Sequence, residues 1–288
     1  MPLLHTFSLG DLRCHAIEAG IQRLDGGAMF GVVPKPLWER RIVPDERNRI
    51  GLAMRCLLIE HPDGLVLVDT GLGNKEDAKF REIYGVDNEG PGGATLLEAG
   101  LARAGFEPGE VSWVINTHLH FDHAGGNTRI APEDPLPRLA FPEATYVVQR
   151  GDLEFARLAN ERTRASYLPP NFEPVARAGR LEVRDGPGEF LPGISLRLIP
   201  GHVPFMQGVL VESRGERLFF LADLVPTRHH LPLPWIMGYD VEPLRTLETK
   251  RELLGQALSG EWTLFFEHDP EVAMGRLRGS AGKVELVI

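Results

Sequence analysis

Apolar and polar positions divide the chain into short strand-like runs with turn chemistry between them, broken by a few stretches of helical spacing. Runs at 12–19, 52–60 and 65–69 are predicted as strands. The last two flank His61-Pro62-Asp63-Gly64, whose Pro-Asp-Gly favours a tight turn, so they are predicted to form a hairpin. Helical spacing predicts helices over 75–84 and 94–104, followed by a strand at Ser112-Trp113-Val114-Ile115-Asn116. Further strands are predicted at 144–149, 181–184, 194–199, 207–212 and 217–222. The longest amphipathic helix is expected over about 243–258, with Pro243 in the first turn, where its missing N–H costs nothing. Strands alternating with helices in this way predict a layered α/β fold.

The 288 residues, 43% of them hydrophobic, are enough for a large core, and no Pro/Gly/Ser linker divides them. One domain over residues 1–288 is the simplest organisation. Pro-rich patches at Ala131–Pro137 and Tyr167–Pro170 are expected to be loops. Residues 20–50 are expected to form a substrate-site loop: Asp25-Gly26-Gly27-Ala28-Met29-Phe30-Gly31 and then Trp38 either pack together or overhang the site with apolar groups.

A formal charge of −9 disfavours nucleic acid and anionic membranes as partners, because both demand clustered Lys and Arg. The first residues have no basic segment followed by an apolar one, and no 18-residue apolar run follows. The expectation is therefore a soluble, cytoplasmic protein without a membrane partner. Cys14 and Cys56 each sit in an apolar strand-like run and are expected to be buried free thiols. A small-molecule substrate is the expected partner, with a homodimer as the candidate assembly.

Chemistry concentrates in Thr117-His118-Leu119-His120-Phe121-Asp122-His123. In an extended segment His118 and His120 project to one side and can share an ion, while Asp122 and His123 follow as the chain turns. Three imidazoles and a carboxylate at this density would repel and go unsatisfied without a cation. Nitrogen and oxygen donors without thiolate suit Zn²⁺ first, with Fe or Mn as alternatives, and a second adjacent metal is plausible from the number of donors. Elsewhere, Asp69, Asp223 and His268 each end a strongly apolar run, and His202 follows the run 194–199 through a glycine. A carboxylate in such a place is costly unless paired or metal-bound.

Together these residues resemble the metallo-β-lactamase superfamily. The landmarks are Leu65-Val66-Leu67-Val68-Asp69-Thr70-Gly71, the central His118–His123 run, Ile199-Pro200-Gly201-His202, Phe219-Phe220-Leu221-Ala222-Asp223 and Phe265-Phe266-Glu267-His268-Asp269, which occur in the family's order. The resemblance implies a four-layer αββα sandwich with a dinuclear site at one edge of its two sheets. It also implies one metal held by His118, His120 and His202, another by Asp122, His123 and His268, Asp223 between them, and Asp69 orienting a ligand or its loop. Two zinc ions per chain would follow. Water between two cations loses its proton near neutral pH, which implies hydrolysis of an ester-like bond (lactone, carboxylic ester, thioester or phosphoester) by a metal-bridging hydroxide, with Asp122 orienting it or carrying its proton.

The chain is most similar to the branch of that family containing N-acyl homoserine lactone lactonases and methyl parathion hydrolase, with departures. Those lactonases carry Tyr three residues after the bridging Asp, where this chain has Pro226. Val203-Pro204-Phe205-Met206-Gln207 after His202 also departs from the family's usual continuation, which implies an altered pocket wall. Of the adjacent His229 and His230 at most one can face the site from an extended segment, and His230 is the candidate general acid. A non-catalytic, metal-retaining sensor or ligand-binding protein of this fold is the alternative reading. The full set of seven ligands favours catalysis.

Overall fold

The computed structural model describes residues 2–131, 134–280 and 283–288. Seven strands form the first sheet, in the order β1 (Leu4–Leu9), β2 (Leu12–Asp25), β3 (Arg49–His61), β4 (Gly64–Val68), β5 (Val111–Ile115), β8 (Thr145–Gln149) and β9 (Leu181–Arg184). The second also has seven: β10 (Gly188–Leu191), β11 (Ile194–Leu198), β12 (Gln207–Ser213), β13 (Glu216–Phe220), β14 (Thr263–Phe265), β15 (Met274–Ser280) and β16 (Lys283–Val287). A small ribbon pairs β6 (Thr128–Ala131) with β7 (Asp134–Leu139). The helices are α1 (Gly26–Phe30), α2 (Lys35–Trp38), α3 (Ala78–Tyr84), α4 (Leu96–Ala104), α5 (Phe121–Ala124), α6 (Arg150–Arg157), α7 (Glu173–Arg177) and α8 (Pro243–Ser259).

Strand alternation explains the layering. Leu57 and Ile59 of β3, with Val66 and Val68 of β4, point between the sheets, where they meet Val209, Val211, Phe220 and Phe265. Their neighbours Cys56, Leu58, Leu65 and Leu67 point the other way, under Leu97 and Leu101 of α4. A sheet apolar on both faces must be covered on both, which is why these strands read as continuous hydrophobic runs. Helix α8 buries the stripe Thr246, Lys250, Leu253, Leu254 and Ala257, spaced at three and four residues, and packs near β15. The result is the αββα sandwich of the metallo-β-lactamase fold.

Sequence periodicity locates most of the central strands to within a residue or two. Helices α3 and α4 begin later than expected because their caps lie inside the expected ranges: Asp77 accepts from Phe80 N, and Thr95 and Glu98 form a reciprocal capping box. Cys14 and Cys56 are free and buried. Two local expectations are corrected. Residues 20–50 are not one loop, because β2 continues to Asp25 and β3 starts at Arg49; between them, Met29, Phe30, Val33 and Trp38 pack as a small core of their own with Ile50, Leu52 and Met237. The Pro-rich patch 131–137 contributes β7, where the prolines sit in a two-stranded ribbon and interrupt no central ladder; its residues 132–133 lie outside the described residues.

Candidate metal centre

Five strand ends converge at one edge of the sandwich. Asp69 follows β4, His118 follows β5, His202 follows β11, Asp223 follows β13 and His268 follows β14. The β4–β5 and β13–β14 pairs are parallel, so each sheet delivers two chain ends to the same edge. The turns there are sharp: Asp69 (φ 56°) and Ala222 (φ 44°) are left-handed non-glycine residues, a conformation held only where the surroundings enforce it. Gly201 (φ 144°) lets the chain entering His202 press against α8, since a Cβ there would lie 2.4 Å from Thr246 Oγ1. The sheets are also tied together behind the site, Ala53 N donating to His268 O and Arg55 N to Glu267 O, each at 3.1 Å.

The side chains gather into two adjacent ligand sets, one of His118, His120, His202 and Asp223 and the other of Asp122, His123 and His268. Ring nitrogens meet face to face, His202 Nε2 lying 3.1 Å from His120 Nδ1 and His268 Nε2 lying 3.2 Å from His123 Nε2. Asp223 spans the sets: Oδ2 is 3.1 Å from His202 Nε2, and Oδ1 is 2.9 Å from His268 Nε2. His118 Nε2 is buried without a hydrogen-bond partner. Lone pairs aimed at one another and an orphaned buried nitrogen are what a cation between them would satisfy, so the donor set fits a dinuclear metal site.

Partners behind the ligands fix which nitrogen faces inward. His123 Nδ1 lies 3.0 Å from Asp69 Oδ2, and His202 Nδ1 lies 2.9 Å from Asp240 Oδ1. His268 Nδ1 donates to Ala53 O at 2.7 Å, leaving Nε2 for the site. Asp69 also accepts from Thr117 N and Thr117 Oγ1, both at 2.7 Å, and so holds the start of the ligand run. Asp152 accepts from Leu119 N at 2.8 Å and from the Tyr167 hydroxyl at 3.0 Å, bracing the same run from α6. Burial and neighbouring imidazoles hold His118 and His120 well below the usual histidine range, so both are neutral and able to ligate. Burial also pulls on His268, but the Asp223 carboxylate outweighs it and raises this histidine to about 9.

The ligands form the floor of a cavity of about 260 Å³. His120, Asp122, His202, Asp223 and His268 reach it, while Leu24, Met29, Leu52, Phe121 and Met237 make its walls apolar. Hydroxyls on the wall belong to Tyr84, Tyr239, Thr163 and Ser166. Arg162 stands at the cavity and donates through Nη2 to Gly238 O (2.9 Å) and Asp240 O (3.2 Å) on the facing segment.

Two expectations fail here. His230 is not brought to the cavity: it is buried, its ring stacks on Phe30 (4.6 Å, 2°), and Nδ1 and Nε2 are engaged by Thr227 Oγ1 (2.9 Å) and Met29 O (2.8 Å). Burial presses it down to about 3, leaving it a neutral brace with no free nitrogen for proton transfer. Nor do Val203–Gln207 make a pocket wall. Val203 and Met206 are core residues, and Gln207 ties β12 to the ligand run by donating to Asn116 O and Thr117 O.

Three contributors went unread in the sequence. Gln22 Nε2 donates to Asp122 Oδ2, Asp240 backs His202, and Glu267 Oε2 lies 3.1 Å from His123 Nδ1. Glu267 ends an apolar run as Asp223 does, so the same cost argument would have found it. Gln22 and Asp240 carry no local signal.

A model of the metallo-β-lactamase superfamily matches residues 52–268, and the chain belongs to that superfamily. It is a metal-dependent hydrolase. Among its relatives, an N-acyl homoserine lactonase of Bacillus cereus is 29% identical over 79% of this chain and 86% of that protein. The lactonase AttM of Rhizobium radiobacter is 25% identical over 74% and 81%. A probable metal-dependent hydrolase from Staphylococcus aureus superposes with a TM-score of 0.86 at 30% identity, covering 94% of each chain. AidC, a dizinc quorum-quenching lactonase solved with its product, shares the fold at a TM-score of 0.78 and 20% identity, over 99% of this chain and 96% of that one.

Proposed function

We propose that the protein hydrolyses a lactone or related carboxylic ester carrying an apolar acyl group, with one zinc ion at His118, His120 and His202, another at Asp122, His123 and His268, and Asp223 shared. The observation that carries this reading is the opening of both ligand sets into one cavity with apolar walls. Cations held there supply Lewis acidity, polarising the substrate carbonyl and making water acidic enough to attack near neutral pH. The chain's own residues do the rest. Gln22 fixes the Asp122 carboxylate toward the cavity, where it orients the attacking water and holds its proton for the departing alcohol. Leu24, Met29 and Met237, contributed by the 20–50 segment and the wall opposite, receive the acyl group and exclude water from it. The names of the lactonase relatives support lactones as the first substrates to try. Pro226 makes the route differ from one using a tyrosine at that position: it is buried, and its carbonyl accepts from His268 N at 3.1 Å.

The test is a screen of zinc-loaded protein against N-acyl homoserine lactones, simple lactones, carboxylic esters, thioesters, phosphodiesters and phosphotriesters. Turnover of lactones or carboxylic esters, rising with acyl length and lost in His118→Ala, is expected. Turnover confined to phosphoesters, or none with both ions present, would overturn the proposal.

A further inference from the structure

His123 is backed by two carboxylates where one would orient it. Asp69 Oδ2 and Glu267 Oε2 approach the same ring nitrogen, Nδ1, at 3.0 and 3.1 Å, and all three residues are fully buried. Asp69 has other work, accepting twice from Thr117. Apart from this approach to His123, neither oxygen of Glu267 has a hydrogen-bond partner among the described residues. A buried carboxylate so placed is costly, and positive charge nearby lowers that cost. A cation held by His123 on its other nitrogen, Nε2, would be such a charge.

The two ligand sets are unequal in this respect. Around Asp122, His123 and His268 stand the ligand Asp122 and the backing pair Asp69 and Glu267. Around His118, His120 and His202, among the described residues, the backing carboxylate is Asp240, behind His202. His118 is backed by the Thr117 hydroxyl at 3.1 Å. Asp223 is common to both and cancels from the comparison.

We propose that the two metal positions differ in affinity, that the His123 position fills first and empties last, and that Glu267 is the positioning residue responsible. The carboxylate pair pulls electron density through the imidazole toward Nε2 and fixes the ring, strengthening the ligand without touching the ion. The inference rests on the dinuclear reading of the site but not on the identity of the substrate, because its measurement needs none.

Zinc-free protein would be titrated with Zn²⁺ alone in competition with a chromophoric chelator, with circular dichroism reporting the fold. Two dissociation constants at least about 10-fold apart are expected in the unsubstituted chain, the span that backing carboxylates typically command. Glu267→Gln keeps the shape and removes the carboxylate; it should weaken the tighter constant by about 10-fold or more and close the gap. Asp240→Asn should instead weaken the looser constant and widen the gap. Equal constants in the unsubstituted chain, or a Glu267→Gln protein with both constants unchanged, would overturn the proposal. Should Glu267→Gln not fold, Asp240→Asn still decides: loss at the tighter position refutes the ordering. Failure of every ester to turn over would sink the substrate reading and leave these constants untouched.

Discussion

Lys250 lies in the middle of the buried stripe of α8 with no exposed surface, and its ammonium donates to the carbonyls of Pro232 (2.9 Å) and Trp235 (2.8 Å). These bonds pin the segment that carries Met237 and Gly238 of the cavity wall. Burial lowers the amine from 10.5 to about 7, the neighbouring Asp240 opposing the shift. The unfolded chain therefore binds more protons than the folded one between about pH 7 and 10.5, and stability contributed by this site rises with pH across that window. At pH 7 the burial of the amine costs about 4 kcal/mol, and at pH 9 about 2 kcal/mol, as an order of magnitude from about 1.4 kcal/mol per pK unit. Lys250→Met removes the titration, whatever it does to absolute stability through the two carbonyls it leaves unpaired. Denaturant unfolding of both zinc-saturated proteins at pH 7, 8 and 9 would measure it. The unsubstituted chain should gain about 2 kcal/mol on Lys250→Met over that interval. Parallel stability curves would refute the argument, because they would mean that the amine titrates normally and that α8 does not bury it as described.

Asp223→Ala should lose bound metal and activity together, since its two oxygens face the two ligand sets, whereas Asp69→Ala should cost about 10- to 100-fold while metal remains measurable. Metal analysis alongside kcat/KM separates them, and equal losses at unchanged metal content would show the roles misassigned. His230→Phe should keep metal content and change kcat/KM by no more than a few-fold, because the ring does not line the cavity. It should lower unfolding stability by about 1–3 kcal/mol through the unpaired Thr227 hydroxyl and Met29 carbonyl. A collapse in turnover without destabilisation would restore it as a proton donor.

The sequence by itself determined the ligand run and the strands that end at the site. His118, His120, Asp122 and His123 are contiguous, so their relation is set by local backbone geometry, and Asp69, Asp223 and His268 each follow an apolar run in which a charge is conspicuous. Alternation along β3 and β4 reflects a sheet covered on both faces and is likewise written locally. What only the tertiary structure decided is which distant groups meet. Gln22 reaches Asp122 across a hundred positions, and Asp240 reaches His202 across thirty-eight. Neither has a neighbour in sequence that marks it. His230 shows the same limit from the other side: two adjacent histidines beyond Asp223 suggest chemistry, yet Phe30, brought by a segment two hundred residues earlier, stacks on the ring and Met29 occupies its nitrogen. A titratable side chain acquires its role from what packs against it, and packing between distant segments follows from how the sheets close, which no local pattern encodes.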